Sequence, residues 1–268
     1  MKMSEISLAQ QNFLLTQKKH KRTVTVSRLC IFILFLAVWE GAARLKLIDS
    51  FIFSSPSKVL RCAYGMILDH TLFAHIGITL FETIASFGLV LFFALAITII
   101  LWLNKRLSET LEPYLVILNS LPKSALAPLL IVWLGATYKT IIITGVSVAI
   151  FGSILSLYTS FQSVDPEKIK LIYTMGGRNY HALTKVILPA NIPAMFSLMK
   201  VNIGLCLVGV IIGEFISSRQ GLGYLIIYGS QVFKLDWVIM SIVILCILAW
   251  GLYSLINVLE KQYLKRLN

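Results

Sequence analysis

Long apolar runs alternate with short polar segments along the whole chain. A helix that crosses the hydrocarbon core of a bilayer needs about 20 mostly apolar residues. Six stretches meet that length, near 27–45, 77–102, 112–134, 138–161, 193–217 and 236–258. The pattern predicts an all-α, polytopic membrane protein: a six-span domain over 27–258 between polar tails at 1–26 and 259–268. Spans three and four are separated only by Gly135-Ala136-Thr137, as in a tight helical hairpin. Between spans one and two, Ser54-Ser55-Pro56-Ser57 has the make-up of a helix start, because serines cap free backbone donors and proline fits the first turn. Val59, Leu60, Ala63, Met66 and Ile67 then recur at helical spacing, which predicts an amphipathic helix on the outer membrane face. One long segment, 162–192, stays polar while everything around it is apolar.

Composition agrees with that pattern. The chain is 57% hydrophobic and only 13% charged, where a soluble domain carries about 25% charged residues. Net charge is +12, from 24 Lys and Arg against 12 Asp and Glu. The basic residues fall mainly between apolar runs, so membrane orientation explains them better than nucleic-acid binding. With the N-terminus inside, fifteen Lys and Arg face the cytoplasm and seven (Arg44, Lys46, Lys58, Arg61, Lys139, Arg219, Lys234) face outward. The positive-inside rule then places both termini and the 162–192 loop in the cytoplasm of a cell-membrane protein. The first apolar run leads into Arg44-Leu45-Lys46 without a small-x-small cleavage pattern, which reads as an uncleaved span.

Candidate chemistry is sparse. The cysteines, Cys30, Cys62, Cys206 and Cys246, form no CxxC pair and suggest neither a disulfide framework nor a metal site. No GxxxxGK[ST] phosphate loop occurs, so the chain itself binds no nucleotide cofactor on this reading. Gly152-Ser153 invites comparison with an intramembrane serine protease, but no histidine falls within the expected spans to act as its base.

The polar segment has internal order. Asp165-Pro166-Glu167 sets a cap, a proline and an acid in sequence, which favours a helix start. Ile169, Ile172 and Tyr173 share one helical face. Gly176-Gly177 interrupts the helix, and a second stretch from Tyr180 to Ile187 runs to Leu188-Pro189. Two short helices joined at a glycine elbow would make a compact knob.

At these residues the chain resembles the permease subunits of ABC importers. Their loop carries Glu-Ala-Ala, then a glycine, nine residues, an aliphatic residue, one more residue and Leu-Pro. Gly176 is followed by nine residues, then Val186, Ile187, Leu188 and Pro189, in that spacing. The Glu-Ala-Ala triplet is absent, and Lys170-Leu171-Ile172 stands in its place. Leu121-Pro122-Lys123-Ser124-Ala125-Leu126-Ala127-Pro128-Leu129, Trp133-Leu134-Gly135, Ser55-Pro56-Ser57, Gly213-Glu214-Phe215 and Gly221-Leu222-Gly223-Tyr224-Leu225 are similar to the nitrate, sulfonate and taurine branch. The resemblance implies a type I ABC importer transmembrane domain, working as a homodimer with two cytoplasmic ATPase subunits and an extracytoplasmic binding protein. ATP and Mg would reside on the ATPase. The loop would be the coupling helix, with Asp165, Lys170, Leu171, Ile172, Gly176, Gly177, Val186, Leu188 and Pro189 at the ATPase contact. The solute classes implied are sulfonates, taurine, nitrate-like anions and a thiamine-type pyrimidine precursor. A permease of another importer branch and an ATP-independent secondary transporter are the competing readings.

Ionisable and amide groups inside spans are candidates for the substrate path, because charge is expensive in lipid. Lys123 falls mid-way along span three between Pro122 and Pro128, where it would attract an anion or meet a partner subunit. Lys200, Asn202, Asn119 and Glu214 are the other candidates, each equally open to a helix-packing role. Glu40 and Glu82 read as interfacial or inter-helix contacts.

Overall fold

The computed structural model of the protein describes residues 8–49 and 51–267, and their regular structure is helical throughout. Residues 1–7 of the expected N-terminal tail and Asn268 of the C-terminal one lie outside the described residues. Among the described residues, five helices are long and apolar enough to cross a membrane, and a sharply bent pair makes a sixth span if counted as one. The chain divides into two compact units at Cys62-Ala63.

The first unit holds α1 (Leu8–Arg44) and the start of α2 (Pro56–Leu68), which runs across the division. The serine-proline start is realised: Pro56 opens α2 and the Ser55 hydroxyl accepts from Lys58 N–H at 3.4 Å. Glu40 completes the cap. Its carboxylate accepts from the Ser57 N–H at 3.0 Å and the Ser57 hydroxyl at 2.9 Å, placing negative charge at the positive end of α2. Arg44 holds the same carboxylate at 2.7 Å.

The second unit is built around α3 (Thr71–Leu103), α6 (Tyr138–Gln162) and α9 (Leu188–Ser217), with α6 the most enclosed. Lipid offers no hydrophobic drive between helices, so small residues and hydrogen bonds must bring them together. Gly209 and Gly213 lie one turn apart on α9. A β-carbon on Gly209 would sit 2.8 Å from the Gly145 Cα of α6, so the two backbones touch there. The Ser86 hydroxyl ties α3 to the same place, reaching the Glu82 carbonyl at 2.7 Å and the Ile142 carbonyl at 3.0 Å. Val90, Ala149 and Cys206 pack in the seam just beyond. A larger cluster, including Leu101, Ile154, Phe161, Leu183 and Ile187, fills the end nearest the polar 162–192 segment.

The expected third span is not one straight helix. α4 (Lys105–Ser120) and α5 (Lys123–Leu134) meet at a bend of 95°. The cause is local: the ring of Pro122 excludes the helical region for the residue before it, and Leu121 is extended, at φ −62° and ψ 141°. Gly135, at φ +78°, and Thr137, whose hydroxyl caps α6, then make the tight turn into α6. After α9 comes α10 (Leu222–Gln231), which Gly221 of the Gly-Leu-Gly motif precedes. The last helix, α11 (Leu235–Leu267), continues through most of the expected C-terminal tail, as α1 does through much of the N-terminal one.

Replacing Gly209 by alanine should lower the thermal midpoint of the purified protein by the equivalent of about 1–3 kcal/mol, because backbone on α6 must move to admit the methyl group. Gly204 lies on the same helix with nothing within 4 Å of an added β-carbon, and Gly204→Ala should leave the midpoint unchanged or slightly raised. Equal midpoints for the two variants would show that the α6–α9 crossing tolerates separation.

Candidate functional site

The polar segment folds as a short helix, α7 (Pro166–Thr174), capped by Asp165, whose carboxylate accepts from Glu167 N–H at 2.9 Å. It ends in two interlocked backbone bonds, Gly176 N–H to the Tyr173 carbonyl at 3.0 Å and Gly177 N–H to the Ile172 carbonyl at 2.8 Å. This Schellman ending needs a left-handed residue, and Gly176 supplies it at φ +78°. Gly177 is required for space, since its β-carbon would meet the Ile172 carbonyl at 2.7 Å. Ile169 packs against the core cluster beneath, so the knob is rooted in the helical bundle. Lys170 points outward. Leu171, Met175 and Tyr180 are 59%, 77% and 68% exposed, an apolar surface with nothing covering it. Tyr173 is exposed, and its hydroxyl bonds the Asn179 side chain at 3.1 Å.

The expected second short helix is a correction. α8 (Asn179–Ala182), a π-helical turn (Leu183–Ile187) and α9 form one unbroken rod. Pro189 does not end it. The π turn shifts the bonding register, and Leu188 N–H reaches back to the Leu183 carbonyl, so the missing proline donor is absorbed without a break. Val186 therefore lies in the π turn, and Leu188 and Pro189 open α9, in one rod that begins just after the elbow. A cavity of about 270 Å³, lined by Ile172, Met175, both glycines, His181 and Lys185, lies at the elbow.

The candidates inside the spans separate into internal ties. Lys123 sits on the first turn of α5, not mid-helix, and its ammonium bonds the Asn119 carbonyl at 2.8 Å, capping the last turn of α4. The side-chain oxygen of Asn119 would stand 3.2 Å from a β-carbon on Gly152, so the bend is seated on α6. Lys200 forms an ion pair with Glu260 of α11 and lies over the Tyr253 ring at 5.8 Å. Asn202 is buried, with Ser153 Oγ 2.9 Å from its side-chain oxygen. Ser153 also bonds the Ala149 carbonyl, so its hydroxyl faces an amide and a carbonyl rather than an imidazole.

Glu214 is the hub of a latch that sequence reasoning did not assemble. Its carboxylate accepts from the Thr79 hydroxyl at 2.7 Å and from Gly223 N–H at 2.5 Å. Thr79 accepts in turn from Leu222 N–H at 2.8 Å, and His75 Nδ1 from Gly221 N–H at 2.9 Å. The first free donors of α10 are thus met by α3 and α9. Gly221 has φ +110°, and its β-carbon would overlap the Glu214 carboxylate. The Gly-Glu-Phe and Gly-Leu-Gly motifs are one structure: a carboxylate wrapped by the turn that follows it.

The family model for the binding-protein-dependent transport system inner membrane component matches residues 88–268. The chain belongs to that family. The taurine transport system permease protein of Escherichia coli is 24% identical, with 90% of this chain and 89% of that protein covered. The formylaminopyrimidine transport permease protein of Halalkalibacterium halodurans is 25% identical over 72% of this chain and 76% of its own length. In structure the chain is similar to a crystal structure of an amino acid ABC transporter with histidines, with a TM-score of 0.56 and 16% identity over 75% of this chain and 97% of that one. The protein is therefore a multi-pass permease subunit of an ABC importer. This class of subunit is generally non-catalytic and works with ATPase and binding-protein partners.

Glu260, Thr79 and His75 were not legible as site residues, because each acquires its role from a partner far along the chain. In the permease, Lys200→Ala alone should cost about 3 kcal/mol by stranding Glu260, whose side chain is only 16% exposed. Lys200→Met with Glu260→Leu should recover most of that loss in the thermal midpoint. A double variant no more stable than the single one would mean that the pair does more than neutralise itself.

Proposed function

We propose that this permease is the membrane channel of an ATP-driven importer for a small solute, with the α7 knob as its contact to the ATPase. What supports the docking role is a rigid helix, ended by its glycines and rooted in the core, that presents uncovered apolar surface. A short rigid helix passes on displacement better than a flexible loop, and only the elbow at 175–178 separates this one from the continuous rod of α8, the π turn and α9. Leu171, Met175 and Tyr180 supply apolar contact. Lys170 supplies charge where the family triplet has Glu, which suits a groove chemistry different from that of relatives with the triplet. Asp165, Gly176 and Gly177 hold the shape, and Val186, Leu188 and Pro189 carry it into α9.

On this reading both termini and the knob are cytoplasmic, and the positive-inside bias of Lys and Arg supports it. The working unit is two copies of this chain with two ATPase subunits, which bind ATP and Mg. An extracytoplasmic binding protein delivers the solute to the opposite face. Sulfonates, taurine and a pyrimidine precursor are the solute classes that the relatives support.

Gly176→Asp tests the docking role cleanly. A side chain at Gly176 meets nothing within 4 Å, and aspartate tolerates left-handed backbone better than most residues, so the knob keeps its fold while gaining a negative charge. ATP-coupled uptake should be abolished with membrane insertion intact. Normal uptake together with normal ATPase recruitment would remove the knob from the coupling role.

A further inference from the structure

Lys105, Glu109 and Glu112 recur along α4 at spacings of four and three, and Tyr158 and Gln162 stand one turn apart on α6, so each set shares one helical face. Together with Trp102, in the last turn of α3, they line a cavity of about 400 Å³. Lys105 and Glu109 form an ion pair of 3.7 Å between exposed side chains, too long for a hydrogen bond, so Glu109 keeps its acceptor capacity. Glu112 is exposed and enters no ion pair among the described residues. Tyr158 differs from these: it is only 8% exposed, and it packs in the core cluster with Leu101 and Phe161. Its hydroxyl has no hydrogen bond among the described residues. The sealed buried atoms left unmatched are Glu82 Oε2, Asn202 Nδ2 and Ser241 Oγ. The Tyr158 hydroxyl is not one of them, so it keeps accessible surface, and the cavity it lines is where that surface opens.

The cavity sits at headgroup depth. The apolar run of α3 ends at Leu103 and gives way to Asn104-Lys105-Arg106, and tryptophan and tyrosine favour such membrane interfaces. We infer that it holds the phosphoethanolamine headgroup of a bilayer lipid, with the ammonium received by Glu109, Glu112 and the Tyr158 oxygen and the phosphate turned toward Lys105. Two carboxylates against one lysine leave the cavity negative within a chain of net charge +12, which disfavours an anionic headgroup. An ammonium brings three N–H donors, and Glu109, Glu112, Tyr158 and Gln162 each offer an acceptor oxygen. A choline headgroup carries the same charge but has no N–H to give. Ile100 and Leu103, 53% and 45% exposed in the same last turn of α3, offer apolar surface for acyl chains, which a soluble amine would leave unused. The site shares no residue with the knob or the latch and needs no ATPase.

The test is native mass spectrometry of the purified full chain in detergent, titrated with phosphatidylethanolamine, phosphatidylcholine and phosphatidylglycerol of identical acyl chains. The first phosphatidylethanolamine should bind about 10-fold tighter than either other lipid, as one added charge-assisted hydrogen bond provides. Glu112→Gln and Tyr158→Phe should each remove most of that preference. Both variants should keep the thermal midpoint of the unaltered protein, because Glu112 is exposed and Tyr158→Phe deletes an oxygen that no other described residue uses. Soluble O-phosphoethanolamine in large excess should leave the lipid in place. Phosphatidylcholine or phosphatidylglycerol binding as tightly as phosphatidylethanolamine, or a preference that either substitution leaves intact, would overturn the assignment. Displacement by soluble O-phosphoethanolamine would overturn the lipid as its source.

Discussion

The contact between α6 and α9 at Gly145 and Gly209 governs the rest of the second unit. Two backbones in contact leave no room for side chains, so the crossing point is fixed by covalent geometry rather than by adaptable packing. Everything assigned a role hangs from the two ends of α9. At one end the π turn joins it to the knob; at the other Glu214 gathers Thr79 and the turn into α10. A helix of 30 residues is about 45 Å long, so these ends lie on opposite sides of a bilayer. The glycine crossing sits between them as a natural fulcrum. Moving the knob without moving the latch would require the elbow at 175–178 or α9 to bend, and the described helix has no break between its π turn and Ser217.

Hydrophobic periodicity made the all-helical, multi-span character legible, and motif spacing located the knob. Both are local properties, repeated over a few turns. What escaped was of two kinds. A hydropathy window averages across a break, so 112–134 read as one span although Pro122 was visible within it. The consequence of Pro122 is a direction change at Leu121, which hydropathy does not encode. Pro189 misled in the opposite sense. It reads as a helix stop, yet a π turn upstream lets the helix run through it.

The second kind is pairing across distance. Lys200 stayed open between substrate contact and helix packing because its partner lies sixty residues away, on α11. In sequence Glu214 and Glu82 are each an acid in an apolar run, Glu214 read as a path candidate and Glu82 as an inter-helix contact. The fold separates them: Glu214 accepts from Thr79 and Gly223 of two other elements, while Glu82 keeps an oxygen unmatched. Burial alone does not distinguish a structural acid from a functional one; the hydrogen-bond inventory does.

That inventory shifts the electrostatic expectation for the substrate path. A net charge of +12 suggests a chain suited to anions, and Lys123 seemed the natural receptor. Yet the described Lys and Arg lie mostly near span ends, where they set orientation, and both lysines deeper in the spans are bonded to other parts of the same chain. Among the described side chains the buried polar atoms left without a hydrogen bond are Glu82 Oε2, Asn202 Nδ2 and Ser241 Oγ, none of them cationic. Net charge therefore reports how the protein lies in the membrane rather than what lines its interior.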